Sequence, residues 1–324
     1  MKKIAVFTSG GDAPGMNACV RAVVRTALAQ KLEVTGIVQG YEGMIEGDFI
    51  PMTGRTVSNI IQLGGTILQS ARSDRFRTPE GRRLAYEQLK KEGIEGIVVI
   101  GGDGSFTGAR VFLEEYPDLQ MVGVPGTIDN DLFGTDYTIG YDTAINTAMN
   151  AIDNIKDTAC AHNRLFIVEV MGRDAGYIAL HSGIATGAEA ILIPEIDGDE
   201  EEMMQLLSGN FDRKKHANII VVAEGDESGG AMNISEKIKA RFPGKFDIRV
   251  TILGHIQRGG RPTCMKRVRA GKLGMVAVLA LLEGKNGVMV GQVNDRITYT
   301  PFAQACKQHQ PIDPLLWQMV EYLS

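Results

Sequence analysis

Short β-branched runs alternate along the chain with longer stretches of helical pattern, and this order constrains the fold more than any other feature. Several runs are apolar throughout, which is typical of parallel strands buried on both faces. Strands separated by helices favour parallel sheets with right-handed crossovers, so we predict an α/β fold. The candidate strands are Ile4–Thr8, Val34–Val38, Gly96–Ile100, Met121–Val124, Leu165–Val170, Ala190–Ile193, Asn218–Ala223 and Ile248–Ile252.

Three helix starts are marked by the residues that precede or begin them. Thr78-Pro79 supplies a cap residue followed by proline, and Gly93 is the stop signal of that helix. A second helix is predicted to start near Asn233, because Glu236 three residues later resembles a capping box. The acidic run Asp199–Glu202 precedes a third helical stretch, where its charges would complement the helix dipole in a structural role.

The composition is that of an ordinary globular protein. Its 324 residues correspond to about two domains at roughly 150 residues each. A net charge of −5 argues against general binding to nucleic acid or to a membrane surface. The four cysteines are widely spaced and form no C-x-x-C pair, so we expect reduced thiols. No apolar run is long enough to span a membrane or to act as a secretory signal, which predicts a cytoplasmic protein.

Two glycine-rich loops directly follow candidate strands. They are Ser9–Asn17, after the first strand, and Gly101–Ser105, after the third. In open α/β sheets, ligands bind beyond the carboxyl ends of strands, where glycine loops let backbone N–H groups approach phosphate oxygens. A carboxylate in such a loop would repel phosphate unless a cation lies between them, so Asp103 is a candidate Mg²⁺ ligand. The alternative is that each loop is only a tight turn with a helix-capping aspartate.

Paired carboxylates follow the next strand, in the segment Pro125–Asp131. Asp129 and Asp131 are two residues apart, so in an extended segment their side chains would share one side. Phosphoryl transfer to an alcohol needs an acceptor for the hydroxyl proton and neutralisation of charge. One aspartate as base and the other near Mg²⁺ would fit this chemistry. The alternative is an Asx turn that caps the next helix.

Arginine forks suited to phosphate also follow or flank the candidate strands. Each one alone could be a solvated surface side chain. The turn that starts at Gly254 is more specific, because His255 and Arg258 follow a strand directly; we interpret His255 as a polar substrate contact, since no second ligand lies at metal spacing. The run Arg213–His216 is either a solvated face or a second anion site. The arginine candidates are Arg72, Arg75, Arg77, Arg164, Arg173, Arg249 and Arg258.

Taken together, these motifs resemble the bacterial ATP-dependent 6-phosphofructokinases of the type A phosphofructokinase family. The resemblance covers nearly the whole chain and is weakest after about Pro301. It implies two doubly wound, Rossmann-like parallel-sheet domains of the phosphofructokinase fold, each visited twice by the chain. The motifs that carry it are Thr8–Asn17, Gly101–Ser105, Pro125–Asp131, Met171–Arg173 and Gly254–Gly260.

The resemblance also implies the division of labour between the domains. Residues 1–140 with 257–307 would form the larger, ATP-binding domain. Residues 141–256 with 308–324 would form the smaller domain, which binds the sugar phosphate.

The activity implied by the resemblance is transfer of the γ-phosphoryl group of ATP to the carbon-1 hydroxyl of fructose 6-phosphate, the committed step of glycolysis. The catalytic residues implied are Asp129 as base, with Thr127, Arg173 and Gly11, and Asp103 would hold Mg²⁺. The residues implied for ATP are Gly11, Tyr41, Arg72, Ser73, Gly102, Asp103, Gly104 and Ser105. Those implied for the sugar phosphate are Thr127, Ile128, Asp129, Arg164, Met171, Gly172, Arg173, Glu224, Arg249, His255, Ile256, Gln257 and Arg258.

Members of this family share active sites between subunits, with Arg164 and Arg249 reaching in from a neighbour, so the resemblance implies a homotetramer. It also implies an effector site for ADP or phosphoenolpyruvate. Lys156 stands where an arginine is frequent and the turn at Arg213 is one residue shorter than in close relatives, which leaves the allosteric response open. The matching effector positions are Arg21, Arg25, Lys156, Gly187, Glu189, Lys214, Lys215 and His216.

Two glycines bear on the phosphoryl donor. Pyrophosphate-using relatives carry an aspartate where this chain has Gly104 and a lysine where it has Gly126. An aspartate at the first position would repel the α-phosphate of ATP, and a lysine at the second would hold pyrophosphate. Both glycines therefore favour ATP as the donor.

One segment departs clearly from the family pattern. The family usually shows Asp-Arg and then a neutral helix where this chain reads Lys266-Arg267-Val268-Arg269, and residues 261–272 contain five basic residues and no acid. Loss of an acid at a helix start gives up a dipole contact worth up to about 1 kcal/mol. The segment is either a solvated helix face, or a rewired subunit contact, or the cause of a weakened active site.

Other functions remain as alternatives. The same transfer with pyrophosphate as donor is disfavoured by the two glycines. A lipid or NAD kinase would explain the Gly-Gly-Asp-Gly motif but not Met171–Arg173 or the turn at His255. A catalytically idle nucleotide sensor or regulatory subunit is favoured only by the basic helix and the altered effector turn, and retention of Asp103 and Asp129 speaks against it.

Overall fold

The structure is a computed structural model that describes residues 1–162, 164–196, 198–211, 218–307 and 311–323. Three effector candidates, Lys214, Lys215 and His216, lie outside the described residues. The chain forms two compact units, each described by itself. Unit 1 comprises Met1–Thr143 and Arg258–Gln310, and unit 2 comprises Ala144–Gln257 and Pro311–Ser324.

Strands and helices alternate along most of the described chain, which confirms the predicted α/β class. The strands are β1 (Lys3–Thr8), β2 (Glu33–Ile37), β3 (Phe49–Pro51), β4 (Gly96–Gly101), β5 (Gln120–Thr127), β6 (Ile139–Gly140), β7 (Leu165–Val170), β8 (Ala190–Leu192), β9 (Asn218–Ala223), β10 (Ile248–Ile252), β11 (Val288–Val293) and β12 (Arg296–Pro301). The helices are α1 (Met16–Ala29), α2 (Gly40–Glu46), α3 (Pro79–Lys91), α4 (Asp103–Glu115), α5 (Tyr141–His162), α6 (Tyr177–Thr186), α7 (Asp199–Phe211), α8 (Gly230–Arg241), α9 (Cys264–Leu282), α10 (Phe302–Lys307) and α11 (Pro314–Leu323).

Unit 1 contains one large sheet in the order β3-β2-β1-β4-β5-β11-β12, with β6 added beside β5. Its strands from β2 to β11 run parallel, whereas the two edge strands β3 and β12 run antiparallel to their neighbours. The sequence predicted β1, β2, β4 and β5 and missed β3, β6, β11 and β12, although β11 is an inner strand of the sheet. The edge strands β3 and β12 are partly exposed, so they lack the continuous apolar run that marked the centre.

Two layers of helices complete unit 1. Aromatic side chains from α2, α4 and α10 form a cluster on β1 and β4, in which Tyr41 stacks on Phe76 with ring centroids 4.0 Å apart, and Phe106 stacks on Phe302. Burial of each such ring contributes about 1.5–3 kcal/mol. Helices α1 and α9 pack on each other and on β4 and β5. Their close approach requires Gly274, since a Cβ there would lie 2.8 Å from the Cys19 carbonyl oxygen.

Unit 2 contains a smaller sheet in the order β10-β7-β9-β8, and all of its pairings are parallel. Apolar residues of β7 and β9 pack against α7 and α8 around Ile167, Ile220 and Ile234. The four strands match runs that the sequence predicted. The inner strands β7 and β9 are apolar and buried, as expected for strands covered on both faces, whereas the edge strand β10 alternates and is partly exposed.

The three predicted helix starts met different outcomes. Thr78 caps α3 as predicted, because its hydroxyl accepts a hydrogen bond from the Gly81 N–H at 3.1 Å. The acidic run does begin α7, at Asp199. The capping box at Asn233 is wrong, because α8 begins at Gly230 and the Ala231 N–H donates instead to the Glu169 carboxylate of β7 at 2.9 Å. A cap supplied by a distant strand leaves no local sequence signal.

Asp199 is buried at the start of α7, with 7% of its surface exposed. Its carboxylate accepts a hydrogen bond from the Ile193 N–H at 2.9 Å. Burial raises the pKa of Asp199 to about 7, and the nearby carboxylate of Asp226 adds to this effect. The unfolded chain ionises this group near its ordinary pKa of about 4. The folded state therefore loses stability as pH rises from about 4 to about 7, because the unfolded state releases the proton first.

We predict that an Asp199→Asn variant is more stable than the parent at pH 8 by about 1–2 kcal/mol. This is half or less of the free energy that corresponds to a shift of about three pKa units. At pH 5 the gain should be much smaller, because the parent then carries a mostly neutral carboxyl group. Urea unfolding at the two pH values measures the difference, with Asp153→Asn on the exposed face of α5 as the matched control. Equal gains at both pH values would contradict the burial of a charge at Asp199.

Candidate active site

The carboxyl ends of β1, β4 and β5 bring three loops to one edge of the unit 1 sheet. The chain passes from β1 to β2 on one side and later to β4 on the other, so a topological switch point lies between β1 and β4. The backbone joins the loops there, since the Ser9 N–H donates to the Ile100 carbonyl oxygen at 2.9 Å. Ligands of open α/β sheets bind at such points. The loops are Ser9–Gly15, Gly102–Ser105 and Ile128–Asp131.

Glycine is required where the second loop packs against the first. A Cβ at Gly101 would lie 2.4 Å from the Ser105 hydroxyl and 2.9 Å from the Ser9 carbonyl oxygen. Helix α4 then begins at Asp103, whose side chain is half-buried, and Gly104 is exposed with open space where a Cβ would stand. A helix N-terminus behind a glycine turn is a favourable anion site.

The remaining predicted nucleotide residues lie in different surroundings. Tyr41 is 6% exposed, and its hydroxyl donates to the Ser105 carbonyl oxygen at 2.6 Å. Burial raises the pKa of this phenol well above its ordinary value. The Ser73 hydroxyl donates to the Glu42 carboxylate at 2.5 Å, whereas Arg72 is exposed. Tyr41 thus supports the second loop from inside the core, while Arg72 lies at the surface.

The third loop carries Thr127 and Asp129, each 8% exposed. The Asp129 N–H donates to the Thr127 hydroxyl at 3.2 Å. Asn130 adopts a left-handed backbone with φ of 57°, so the segment is not extended. The prediction that the side chains of Asp129 and Asp131 share one side assumed an extended segment, and that assumption is wrong. Asparagine is among the few non-glycine residues that adopt this conformation readily, so a turn here is compatible with the sequence.

Residues 138–140 hold this third loop in place. Strand β6 pairs with β5 through Gly126 with Ile139 and Thr127 with Gly140. The Thr138 hydroxyl donates to the Thr127 carbonyl oxygen at 2.6 Å, and the Thr138 N–H donates to the Asn130 side chain at 2.8 Å. Sequence reasoning missed Thr138, because a threonine 11 residues beyond its partner gives no periodic or motif signal.

Arg258 and Gly11 are also brought together in unit 1. The Arg258 guanidinium donates to the Asp12 carbonyl oxygen at 3.4 Å. A Cβ at Gly11 would lie 2.4 Å from the same guanidinium nitrogen, so glycine at position 11 leaves the room that the arginine occupies. The arginine predicted for the sugar phosphate therefore lies on the first glycine loop.

In unit 2, the loops after β7, β9 and β10 carry the other predicted substrate residues. The Glu224 carboxylate accepts hydrogen bonds from the Arg173 N–H at 2.8 Å and the Gly172 N–H at 3.3 Å. This carboxylate holds a turn in which Arg173 has φ of 57°, and the guanidinium remains 66% exposed. Among the other predicted residues of this unit, Met171 is buried, His255 and Ile256 are exposed, and Gln257 is buried.

Arg164 and Arg249 lie at the amino ends of the unit 2 strands, opposite the carboxyl ends that carry the loops described above. Arg164 directly precedes β7, and Arg249 is the second residue of the parallel neighbour β10. Both pair with Asp247, at 2.8 Å and 3.2 Å, and the hydrogen bond from Arg164 keeps the pKa of that carboxyl below its ordinary value. Strands of five or six residues separate the two edges by about 16–20 Å. These arginines therefore do not join Met171, Arg173 and Glu224.

The effector candidates that the structure describes have structural contacts. The Lys156 ammonium donates to the carbonyl oxygens of Thr186 at 2.7 Å and Gly187 at 3.5 Å, so it caps the end of α6. Arg25 on α1 donates to the Gly54 carbonyl oxygen at 3.1 Å. Arg21 and Glu189 are both partly exposed.

The described residues bear on metal binding and on membrane insertion. No three or more His, Cys, Asp or Glu side chains gather there into a metal site. A single carboxylate beside a phosphate loop suits Mg²⁺, which is typically bound through one or two carboxylates plus substrate phosphates and water. Within the described part of the chain, no helix has the length and apolarity needed to cross a membrane.

The family model for phosphofructokinase matches residues 3–281. A protein of Cytophaga hutchinsonii named ATP-dependent 6-phosphofructokinase is 54% identical over 324 residues, covering all of this chain and 98% of that protein. A Bacteroides thetaiotaomicron protein named ATP-dependent 6-phosphofructokinase 2 is 51% identical, covering all of this chain and 99% of that protein. A Thermus thermophilus protein named ATP-dependent 6-phosphofructokinase 1 is 53% identical over the full length of both.

Two solved structures share the fold. Phosphofructokinase from Saccharomyces cerevisiae matches with a TM-score of 0.89 at 38% identity, over 99% of this chain and 47% of the yeast chain, so this chain spans about half of that protein. A pyrophosphate-dependent phosphofructokinase from Marinobacter aquaeolei matches with a TM-score of 0.83 at 24% identity, over 97% of this chain and 86% of that one. The second likeness concerns the fold alone, and both confirm the fold that the sequence motifs implied.

Proposed function

Because the chain belongs to the phosphofructokinase family, we infer that it transfers the γ-phosphoryl group of ATP to the carbon-1 hydroxyl of fructose 6-phosphate. The products are fructose 1,6-bisphosphate and ADP, and the reaction belongs to glycolysis. The structural observation that carries this function is the single sheet edge at which the loops after β1, β4 and β5 meet. That edge holds Gly11, Asp103 and Asp129.

Unit 1 is the proposed ATP-binding domain. We assign the phosphates of ATP to the glycine loop Gly102–Ser105 at the start of α4, where backbone N–H groups and the helix dipole favour anions. Tyr41 acts from beneath by fixing the Ser105 carbonyl group. Arg72, exposed at the surface, is assigned to the nucleotide, and Gly11 lets the Arg258 guanidinium reach the same loop edge.

Asp103 is the proposed ligand of Mg²⁺. The residues fit the ion, because one half-buried carboxylate lies beside a phosphate loop without a protein cage around it. When bound, Mg²⁺ would neutralise phosphate charge during transfer. The protein's contribution is to hold this carboxylate at the first position of α4.

Asp129 is the proposed base. Its carboxylate would accept the proton of the carbon-1 hydroxyl as that oxygen attacks the γ-phosphorus and ADP leaves. The loop is fixed before substrate arrives, because Thr127 caps the Asp129 N–H and Thr138 ties down Thr127. Thr127 and Arg173 are assigned to the transferring phosphoryl group.

Unit 2 is the proposed sugar-phosphate domain. Glu224 holds the turn that presents Arg173, and His255 and Ile256 are exposed at the same strand ends. Arg164 and Arg249 lie at the other edge of that sheet, so they cannot serve the same bound sugar within one subunit. We therefore propose that they complete the site of a neighbouring subunit in a homotetramer.

An effector site and a cytoplasmic location are also proposed. ADP or phosphoenolpyruvate would bind an effector site that includes Arg21, Arg25 and Lys156. Lys156 already caps α6, so an effector would have to share or displace its contact with Thr186. A cytoplasmic location is proposed, because both substrates are phosphorylated metabolites that membranes retain.

We predict that Asp129→Ser lowers turnover by about 10²–10⁴-fold, the range for loss of a general base, while the affinity for fructose 6-phosphate changes little. A coupled assay of fructose 1,6-bisphosphate formation measures turnover, and equilibrium binding measures affinity. Asp131→Asn is the matched comparison for the second carboxylate. A greater loss in the Asp131 variant than in the Asp129 variant would move the base to Asp131.

The donor preference predicts the effect of a charge at Gly104. Because a Cβ there meets open space, Gly104→Asp should fold and still place a carboxylate among the phosphates. We expect kcat/KM for ATP to fall by about tenfold or more, which is at least 1.4 kcal/mol of transition-state stabilisation. Gly104→Ala adds the Cβ without the charge and should stay within about threefold of the parent. Equal losses in both variants would point to sterics instead of charge, and parent activity with pyrophosphate would refute the ATP assignment.

Shared active sites predict complementation between two defective variants. Asp129→Ser lacks the base of its own site, whereas Arg249→Ala lacks an arm that serves the neighbour's site. Co-expressed subunits should therefore regain roughly a quarter of parental activity or more at low fructose 6-phosphate, since some sites receive both intact residues. The two variants purified separately and mixed without subunit exchange are the control. Mixed tetramers with no regained activity would show that each subunit has a complete site.

A further inference from the structure

The basic segment at the start of α9 contains a lysine that is almost fully buried. Lys266 is 1% exposed, although lysines are almost never fully buried unless paired. Its backbone N–H donates to the hydroxyl of the cap residue Thr263 at 3.3 Å. The interpretation of this segment as a solvated helix face is therefore wrong for Lys266, while Val268 is exposed as that interpretation requires.

The side chain of Lys266 contacts two places: Thr138, which holds the third loop, and the first glycine loop itself. Its ammonium donates to the Thr138 carbonyl oxygen at 2.5 Å. Its methylene stem packs on the first glycine loop, where a Cβ at Gly15 would lie 3.2 Å from the Lys266 Cγ. Gly15 has φ of 113°, so the loop turns sharply at the point of contact. The lysine thus joins the end of the first glycine loop to Thr138, the residue that directly precedes β6.

Thr138 carries this contact to the proposed base. Its hydroxyl donates to the Thr127 carbonyl oxygen at 2.6 Å, and its N–H donates to the Asn130 side chain at 2.8 Å. Thr127 and Asn130 are the residues on either side of Ile128-Asp129. A shift of Thr138 would therefore move both ends of the segment that holds the carboxylate.

Two charged groups face the ammonium in the described part of the chain. Asp142 at the start of α5 attracts it, and Arg269 one turn along α9 repels it. Each has a further contact, since the Thr263 hydroxyl donates to Asp142 at 2.5 Å and the Arg269 guanidinium lies 4.7 Å from the centre of the Tyr137 ring. Burial lowers the pKa of Lys266 to about 8 despite Asp142. A buried cation of this kind costs stability, so packing alone does not explain it.

We propose that the Lys266 ammonium is a positioning group for phosphoryl transfer, which holds Thr138 and through it the Thr127–Asn130 segment at the geometry that the base requires. The proposal rests on the proposed function, since it assigns Asp129 as the base. Lys266 does not touch substrate, and its effect travels through one hydrogen bond to the backbone. Displacement of a reacting group by about 1 Å can cost about 10²-fold in rate.

The test compares two lysines of the same helix. Lys266→Met keeps the length of the side chain and removes the ammonium. Lys272→Met is the matched control, because the Lys272 ammonium donates to the Gln292 side chain at 3.2 Å and to the Asp295 carbonyl oxygen at 3.4 Å, in and after β11. At pH 7, we expect kcat of the Lys266 variant to fall about 10–100-fold, with both KM values within about threefold of the parent and a melting temperature at or above it. The control should match the parent in all three.

The charge of Lys266 predicts a pH signature as well. As pH rises through about 8, the parent's lysine loses its proton, whereas the methionine variant has none to lose. The ratio of parent to variant kcat should therefore shrink between pH 7 and pH 9.5. A ratio that stays constant, or a loss confined to melting temperature, would overturn the positioning role.

A second variant covers failure of the first to fold. Thr138→Val removes the hydroxyl bond to Thr127 without touching the buried charge, and it should lower kcat with unchanged KM values. Parent-like kcat in a folded Thr138→Val variant would overturn the proposal. Inactive parent protein with ATP and with pyrophosphate would instead refute the proposed function, whereas an active parent with an equally active Lys266→Met variant would refute only the role of Lys266.

Discussion

The parallel pairing of β1 with β4 is the constraint on which the proposed chemistry depends. The register aligns Thr8 with Ile100, so both strands end at the same level and their loops begin side by side. The contact of Gly101 with Ser9 and Ser105 is possible only without a side chain at that position. Strand β5 continues the same edge on the far side of β4, and a Cβ at Gly102 would lie 3.4 Å from the Thr127 side chain. The loop proposed for the donor and the proposed base thus occupy neighbouring positions because three buried strands end together, and binding energy need not be used to assemble them.

Much of this arrangement could be predicted from the sequence, because buried parallel strands are continuous apolar runs and the site loops follow them directly. Strands β1, β2, β4 and β5 of the large sheet, the inner strands of the small sheet and the three loops follow from that pattern, whereas the inner strand β11 was missed. The edge strands β3 and β12 could not be predicted, since partial exposure removes the apolar signal. The start of α8 depends on Glu169 from another strand, and the bend at Asp129 depends on a left-handed Asn130. The first is set by a tertiary contact that local propensity does not encode, whereas the second uses a conformation that asparagine adopts readily but that no motif in the sequence marks.

The two arginine groups of unit 2 illustrate what a sheet can and cannot bring together. Arg173 follows β7, and Arg164 precedes the same strand, so the full length of the strand separates them. Sequence motifs assign both to one sugar phosphate, and a rigid strand does not allow both to reach one ligand from a single subunit. Asp247 meanwhile holds Arg164 and Arg249 as a pair, which fixes two positive charges at one outer edge. Such a paired cationic edge suits the shared site that we propose for a symmetric oligomer.

Lys266 shows how a change of charge can be absorbed in a core without loss of the fold. A lysine at the start of a surface helix would be expected to turn toward solvent. Gly15 leaves room for its stem, the Thr138 carbonyl group accepts its proton, and Asp142 lies near enough to attract the charge. Neutralising contacts of this kind repay only part of the desolvation cost of a buried cation. The rest of that cost arises next to the loop that carries Asp129. A rigid polar contact at this position would affect the rate of the proposed reaction more than it would contribute to the stability of the fold.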